Sequence, residues 1–170
     1  MLLEGDPTAN VSNVGAADFN GDGNMDLVTA NLGPSTISVF PGNGNGTFQK
    51  DSLLEGGQDG AFLAVGDLDS DGDLDFLVTH WTGDFLSVFL NHGRGTFAPR
   101  RDYPTALGNY GVTLCDVDHD GKLDAVTANY RDRSISLLKG VGDGTFQPAV
   151  TTRKGLTLKD GKWVSEGLDR

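Results

Sequence analysis

A single cysteine, Cys115, in 170 residues leaves no disulfide to brace the fold and gives no reading of redox compartment. Positive charge is also scarce. Thirteen lysines and arginines stand against 24 aspartates and glutamates, and the net charge of −11 argues against nucleic acid or an anionic membrane as partner, since both select basic faces. No run of about 18 apolar residues is present to insert into a membrane, and the opening MLLEGDPTAN has neither the basic region nor the long apolar stretch of a secretory signal. His80, His92 and His119 share no metal-ligand spacing, and HExxH, GxSxG and a glycine-rich phosphate loop are all missing. The expectation is a binding or structural protein rather than an enzyme. Cys115, just before an acidic stretch and four residues from His119, is expected to be a buried, inert thiol.

Glycine, by contrast, is abundant: 25 of 170 residues, about twice the usual share, which implies many turns between short strands. The length suits one domain, 1–170, with a real core. The acidity is concentrated. Half of the 24 acidic residues fall in the 27 positions of DFNGDGNMD (18–26), DLDSDGDLD (67–75) and DVDHDGKLD (116–124). Carboxylates crowded in this way repel one another unless a cation sits among them.

These stretches recur with a period. Asp18, Asp67 and Asp116 are 49 residues apart, and so are the three GTF triplets at 46–48, 95–97 and 144–146. Periods of roughly 40 to 50 residues belong to helical pairs or propeller blades. Apolar alternation decides for strands: in TISVF (36–40), FLSVF (85–89) and SISLL (134–138), Ile37/Val39, Leu86/Val88 and Ile135/Leu137 share one face and Ser38, Ser87 and Ser136 the other. Each unit then reads as four antiparallel strands: one entering the acidic loop, one leaving it, the alternating strand, and an outer strand starting at GTF. The fold class expected is all-β, a partial propeller of three complete four-stranded blades. Its units are a partial outer strand at 1–5, blades at 6–55, 56–104 and 105–154, and a hairpin or cap at 155–170. Phe48, Phe97 and Phe146, placed alike after a hairpin, are expected to pack between blades.

Within each acidic loop, oxygen-bearing side chains stand at positions 1, 3, 5 and 9: Asp18, Asn20, Asp22 and Asp26; Asp67, Asp69, Asp71 and Asp75; Asp116, Asp118, Asp120 and Asp124. Position 7 (Asn24, Asp73, Lys122) contributes a backbone carbonyl, glycine at position 6 lets the chain fold back, and an apolar residue at position 8 (Met25, Leu74, Leu123) plugs the loop into the core. So many hard oxygens suit calcium, at three sites. An EF-hand would need glutamate at position 12, where Thr29, Val78 and Thr127 stand, and flanking helices.

With its three DxDxDGxxD-type loops and the downstream GNGNGTF, NHGRGTF and GVGDGTF, the chain resembles the FG-GAP or VCBS-type repeats of integrin α-subunit propellers and many secreted bacterial proteins. The resemblance implies calcium on one face of a propeller, an extracellular or cell-surface setting, and adhesion or recognition of carbohydrate or protein. The alternatives are a purely structural domain of a larger secreted protein, or a non-catalytic part of a secreted hydrolase.

LLEG at 2–5 echoes LLEG at 53–56, and LTLKDGKWV (156–164) reads as a hairpin around Asp160–Gly161. That hairpin is either a cap or half of a blade completed by another chain's N-terminal strand. The second is favoured because strand exchange closes a symmetric ring at low cost, so a homodimer is expected. For a glycan or protein ligand, the candidates are the variable turns NLGPS, HWTGD and NYRDR, with His80, Trp81, Tyr130 and Arg131 foremost and Asp84 and Arg133 as neighbours.

Overall fold

The computed structural model describes residues 10–152 in full and the backbone of 156–159 and 162–165. Every regular element among these residues is a strand, and no helix among them is long and apolar enough to cross a membrane. Blade 1 comprises β1 (Asn10–Ala17), β2 (Asp26–Leu32), β3 (Thr36–Phe40) and β4 (Ser52–Glu55). Blade 2 comprises β5 (Gly60–Gly66), β6 (Asp75–His80), β7 (Phe85–Phe89) and β8 (Arg101–Pro104). Blade 3 comprises β9 (Asn109–Cys115), β10 (Asp124–Asn129), β11 (Ser134–Leu138) and β12 (Val150–Thr152). Each blade is an antiparallel meander in which every strand pairs with the next in sequence. Among the described residues, the short strands β13 (Leu156–Lys159) and β14 (Lys162–Ser165) pair only with each other, Leu156 opposite Ser165. The 1–5 strand and the Asp160–Gly161 turn lie outside the described residues.

The first strands, β1, β5 and β9, pack side by side, so the blades fan out from a common line as in a propeller without closing a ring. Alternation explains how the middle blade serves both neighbours, since successive residues of a strand point to opposite faces. Phe76 and Val78 of β6 meet Val28, Ile37 and Val39 of blade 1, whereas Leu77, with Leu86 and Val88, meets Ala125, Leu138 and Phe146 of blade 3. All six residues of β6 are consequently buried. Phe97 packs its ring 5.7 Å from Phe19 and 4.9 Å from Phe76, and Phe146 stands 5.5 Å from Tyr103, so both pack between blades as the repeat implied.

The structure departs from the sequence pattern at the GTF triplets, at Met25 and at Cys115. GTF does not open the outer strand: Phe48, Phe97 and Phe146 make isolated bridges to Gly42, Asn91 and Gly140, and the outer strands begin several residues later. The serine face of the third strand is buried as well. Asn31 donates to Ser38 at 3.0 Å and accepts from Thr29 at 3.0 Å, Asn129 does likewise with Ser136 and Thr127, and the hydroxyls are satisfied inside the protein. Leu74 and Leu123 pack against the two cores, but Met25 is 57 % exposed because blade 1 has no described blade on that side. Cys115 is exposed for the matching reason at the other end: its repeat counterpart Ala17 is buried against blade 2, and no described element covers the corresponding face of blade 3.

Acidic loops at one end and an aromatic cluster at the other

The acidic stretches connect the first and second strands of each blade, and their backbone is shaped by their own carboxylates. Asp18 accepts hydrogen bonds from the amides of Gly21, Asp22 and Gly23, Asp67 from those of Ser70 and Gly72, and Asp116 from those of Asp120 and Gly121. Positions 4 and 6 adopt left-handed backbone in every loop, at Gly21/Gly23, Ser70/Gly72 and His119/Gly121. Glycine takes that conformation without penalty, while Ser70 and His119 hold it at a cost.

Position 9 has a second role that the pattern did not reveal. Asp26, Asp75 and Asp124 are buried, and each carboxylate accepts two backbone amides: Phe19 (3.0 Å) and Gly42 (2.7 Å), Leu68 (2.8 Å) and Asn91 (2.7 Å), Val117 (3.0 Å) and Gly140 (2.8 Å). Each of these aspartates therefore clamps the acidic loop to the connection between the third and fourth strands. A cross-blade tie continues the link, for Phe19 O accepts from Gly95 N at 2.8 Å and Leu68 O from Gly144 N at 3.0 Å. Loop and blade interface are thus mechanically coupled.

The position 7 side chains pass over the hairpin between the third and fourth strands. A Cβ on Gly44 would stand 2.2 Å from Asn24 Oδ1, one on Gly93 3.0 Å from Asp73 Oδ2, and one on Gly142 2.9 Å from Lys122 Cδ. Asparagine, aspartate and lysine interchange there because each lies over a hairpin glycine, and the Lys122 stem, lying over Gly142, still lets its Nζ reach back to Asp120.

The donor set fits a hard divalent cation. One carboxylate oxygen from each of Asp67, Asp69 and Asp71, and likewise from Asp116, Asp118 and Asp120, lies within 4.8 Å of the others, about twice a calcium–oxygen distance. Loop 1 has Asp18, Asn20 and Asp22 at the same repeat positions, and the position 9 carboxylates belong to neither cluster. The electrostatics of the loops differ. Burial, then Asp71 and Asp67, raise the Asp69 carboxyl above its ordinary value. Burial pushes Asp75 up to about 6, with Asp69 and Asp71 adding to the rise and the amides of Asn91 and Leu68 opposing it. In loop 3 the hydrogen bond from Lys139 holds Asp118 below the ordinary range.

At the opposite end of the second strands stands an aromatic cluster. Trp81 stacks with Tyr130 at 5.7 Å and meets Tyr110 edge-on at 5.0 Å, Phe62 lies 4.8 Å from Tyr110, and the Arg131 guanidinium sits 5.8 Å from the Trp81 ring. Tyr130 is 68 % exposed. A cavity of about 590 Å³ opens beside Phe62, Trp81, Tyr110 and Asp59, and another of about 510 Å³ beside Tyr110, Tyr130, Arg131 and Arg133.

Trp81, Tyr130 and Arg131 are thus brought together, but His80 is not part of that surface. It is fully buried, with Nδ1 2.8 Å from Gln58 O and Nε2 2.8 Å from Ser87 Oγ, and burial lowers its pKa. It occupies the place of Asn31 and Asn129 and serves the same internal role. Ser87 donates in turn to Asp102 at 2.6 Å, but its hydroxyl is as buried as His80 and offers no nucleophile to a substrate. Sequence reasoning missed Phe62 and Tyr110. The available signal was that Tyr110 replaces Ser12 and Ala61, and Phe62 replaces Asn13 and Gly111, at their repeat positions.

Fold and loops together define a propeller-type repeat module with an acidic-loop end and an aromatic end. The FG-GAP-like repeat model matches residues 18–78 and again 67–127, and the chain belongs to that family. Among solved structures it is similar to a lectin of Agrocybe aegerita that specifically recognises non-reducing terminal N-acetylglucosamine, at 26 % identity and a TM-score of 0.59 over 88 % of this chain. The chain spans 40 % of that lectin's length. A Photorhabdus luminescens Tc holotoxin pore structure is also similar, at 22 % identity and a TM-score of 0.48, over 94 % of this chain and 7 % of that one. No curated protein sequence matches the chain.

Proposed function

We propose that the chain is a non-catalytic, calcium-stabilised propeller module that works outside the cell and recognises a carbohydrate, or a protein surface, in adhesion. The observation that carries this reading is the cluster of Phe62, Trp81, Tyr110 and Tyr130 with Arg131, bordered by two cavities. Sugar rings stack their C–H faces on such aromatics, and Asp59, Thr82 and Arg133 supply polar partners for hydroxyls. The similarity to an N-acetylglucosamine-recognising lectin supports carbohydrate as the first ligand class to test. Calcium in the three loops, held by positions 1, 3, 5 and 9 and the carbonyl of position 7, would neutralise the carboxylates and stiffen the blade interfaces to which the loops are tied.

Two copies close the ring. Blade 3 presents Val126, Ile135 and Leu137 where blade 2 packs Leu77, Leu86 and Val88, and blade 1 presents Val14, Leu27 and Phe48 where blade 2 packs Leu63, Phe76 and Phe97. The Val117 carbonyl stands where those of Phe19 and Leu68 receive the next blade's amide.

The test is calorimetric titration with N-acetylglucosamine in millimolar calcium, with molar mass read by light scattering on the same sample. Saturable binding that falls at least about tenfold in Trp81→Ala, by a protein with the mass of two chains, is the expected result. Binding indifferent to Trp81→Ala would remove the aromatic cluster from the account, and the mass of one chain would remove the shared ring.

A further inference from the structure

The three acidic loops differ in how their charge is met. Over its nine positions loop 1 carries three aspartates, loop 2 five, and loop 3 four together with Lys122. Loop 3 receives a second cation from outside: Lys139, immediately after β11, donates from Nζ to Asp118 Oδ2, and Lys122 Nζ donates to Asp120 Oδ2 at 3.1 Å. The repeat counterparts of Lys139 are Pro41 and Leu90, and those of Lys122 are Asn24 and Asp73, so neither other loop can form these pairs. Among the described residues, no lysine or arginine pairs with a carboxylate of loop 1 or loop 2.

Asp118 and Asp120 are positions 3 and 5, so the oxygens a metal ion would use are the ones the two ammonium groups already hold. We infer that loop 3 carries its own counter-cations and is the last and weakest of the three to take up calcium, which fills loop 2 first and loop 1 second. The inference rests on the calcium reading above. Affinity in such loops follows the count of ligand charges and the rigidity of the site. Two ammonium groups reduce the charge and must be displaced, but both are solvent-exposed and screened, so they weaken binding without abolishing it. Loop 3 therefore keeps its shape without metal, while the uncompensated carboxylates of loops 1 and 2 drive those loops open.

The experiment is calorimetric calcium titration of the full chain at low salt, beside the Lys122→Asn/Lys139→Gln double variant, with backbone amide exchange in chelator as a second readout. The expected wild-type isotherm shows two tighter ions and a third weaker by about tenfold, and the double variant brings the third to within about threefold of the second. In chelator, the 116–124 amides exchange more slowly than those of 18–26 and 67–75 in the wild type, and lose that advantage in the double variant. Three ions of equal affinity in the wild type, or a third ion unmoved by the double substitution, would overturn the inference while leaving the calcium reading intact. No uptake at any loop in either protein overturns the calcium reading and this inference with it.

Discussion

Asp124→Ala lowers stability by on the order of 3 kcal/mol, roughly 10 °C in Tm, and does so in chelator as well as in calcium. The reason lies in what the carboxylate does without a metal. Asp124 is 1 % exposed and accepts the amides of Val117 and Gly140, so its removal orphans two backbone N–H groups where water cannot replace the acceptor. Asp124→Asn keeps one acceptor oxygen and falls between wild type and alanine. Denaturant unfolding of the three proteins checks the order; a loss below about 1 kcal/mol in chelator would mean that the clamp is not structural.

In chelator, the contribution of Asp75 to stability falls by about 2 kcal/mol as pH rises from about 4 to about 6, and Asp75→Asn removes that fall. The sign follows from the direction of the shift. Asp75 titrates at about 6 in the folded protein against an ordinary 3.8, so between those values the folded state holds a proton that the unfolded state has released. Its contribution is full below the unfolded value and lost as pH rises through the folded one. Calcium reverses the trend by favouring the ionised carboxylate, so it stabilises more at pH 7 than at pH 5. Urea unfolding across that range in chelator and in calcium provides the check. A flat chelator profile, or one unchanged in Asp75→Asn, would contradict the burial argument.

The fold was legible because the period of 49 residues marks blades, and because Ile37/Val39 and their repeats alternate as strands do. What alternation alone could not say is that both faces of a blade are buried. A serine flanked by apolar residues reads as surface in a two-layer protein, whereas Ser38, Ser87 and Ser136 lie inside, satisfied by Asn31, His80 and Asn129. The same blindness to the neighbour placed His80 on the ligand surface and Cys115 in the core. Side-chain direction along a strand is written in the sequence, but what stands opposite depends on the next blade.

The acidic loops were the most readable part of the site, since their spacing is local and their chemistry is carried by residue type. The aromatic cluster was only half readable. Trp81 and Tyr130 share a repeat position, but Tyr110 and Phe62 reach them across blades from strands whose turns gave no hint of proximity. Lys139 was invisible for a related reason: it meets Asp118 across 21 residues of chain, beyond any motif.

The central claim is that metal in the acidic loops holds the blades together, and thermal unfolding of the unmodified chain in 10 mM calcium and in chelator tests it most directly. With affinities of ~10⁻⁴ to 10⁻³ M, as in extracellular modules, two well-filled loops contribute on the order of 4 kcal/mol, so the account predicts a Tm higher in calcium by roughly 10 °C. Superimposable melts in the two conditions would contradict it, and the acidic loops would then be turns held by their own backbone hydrogen bonds.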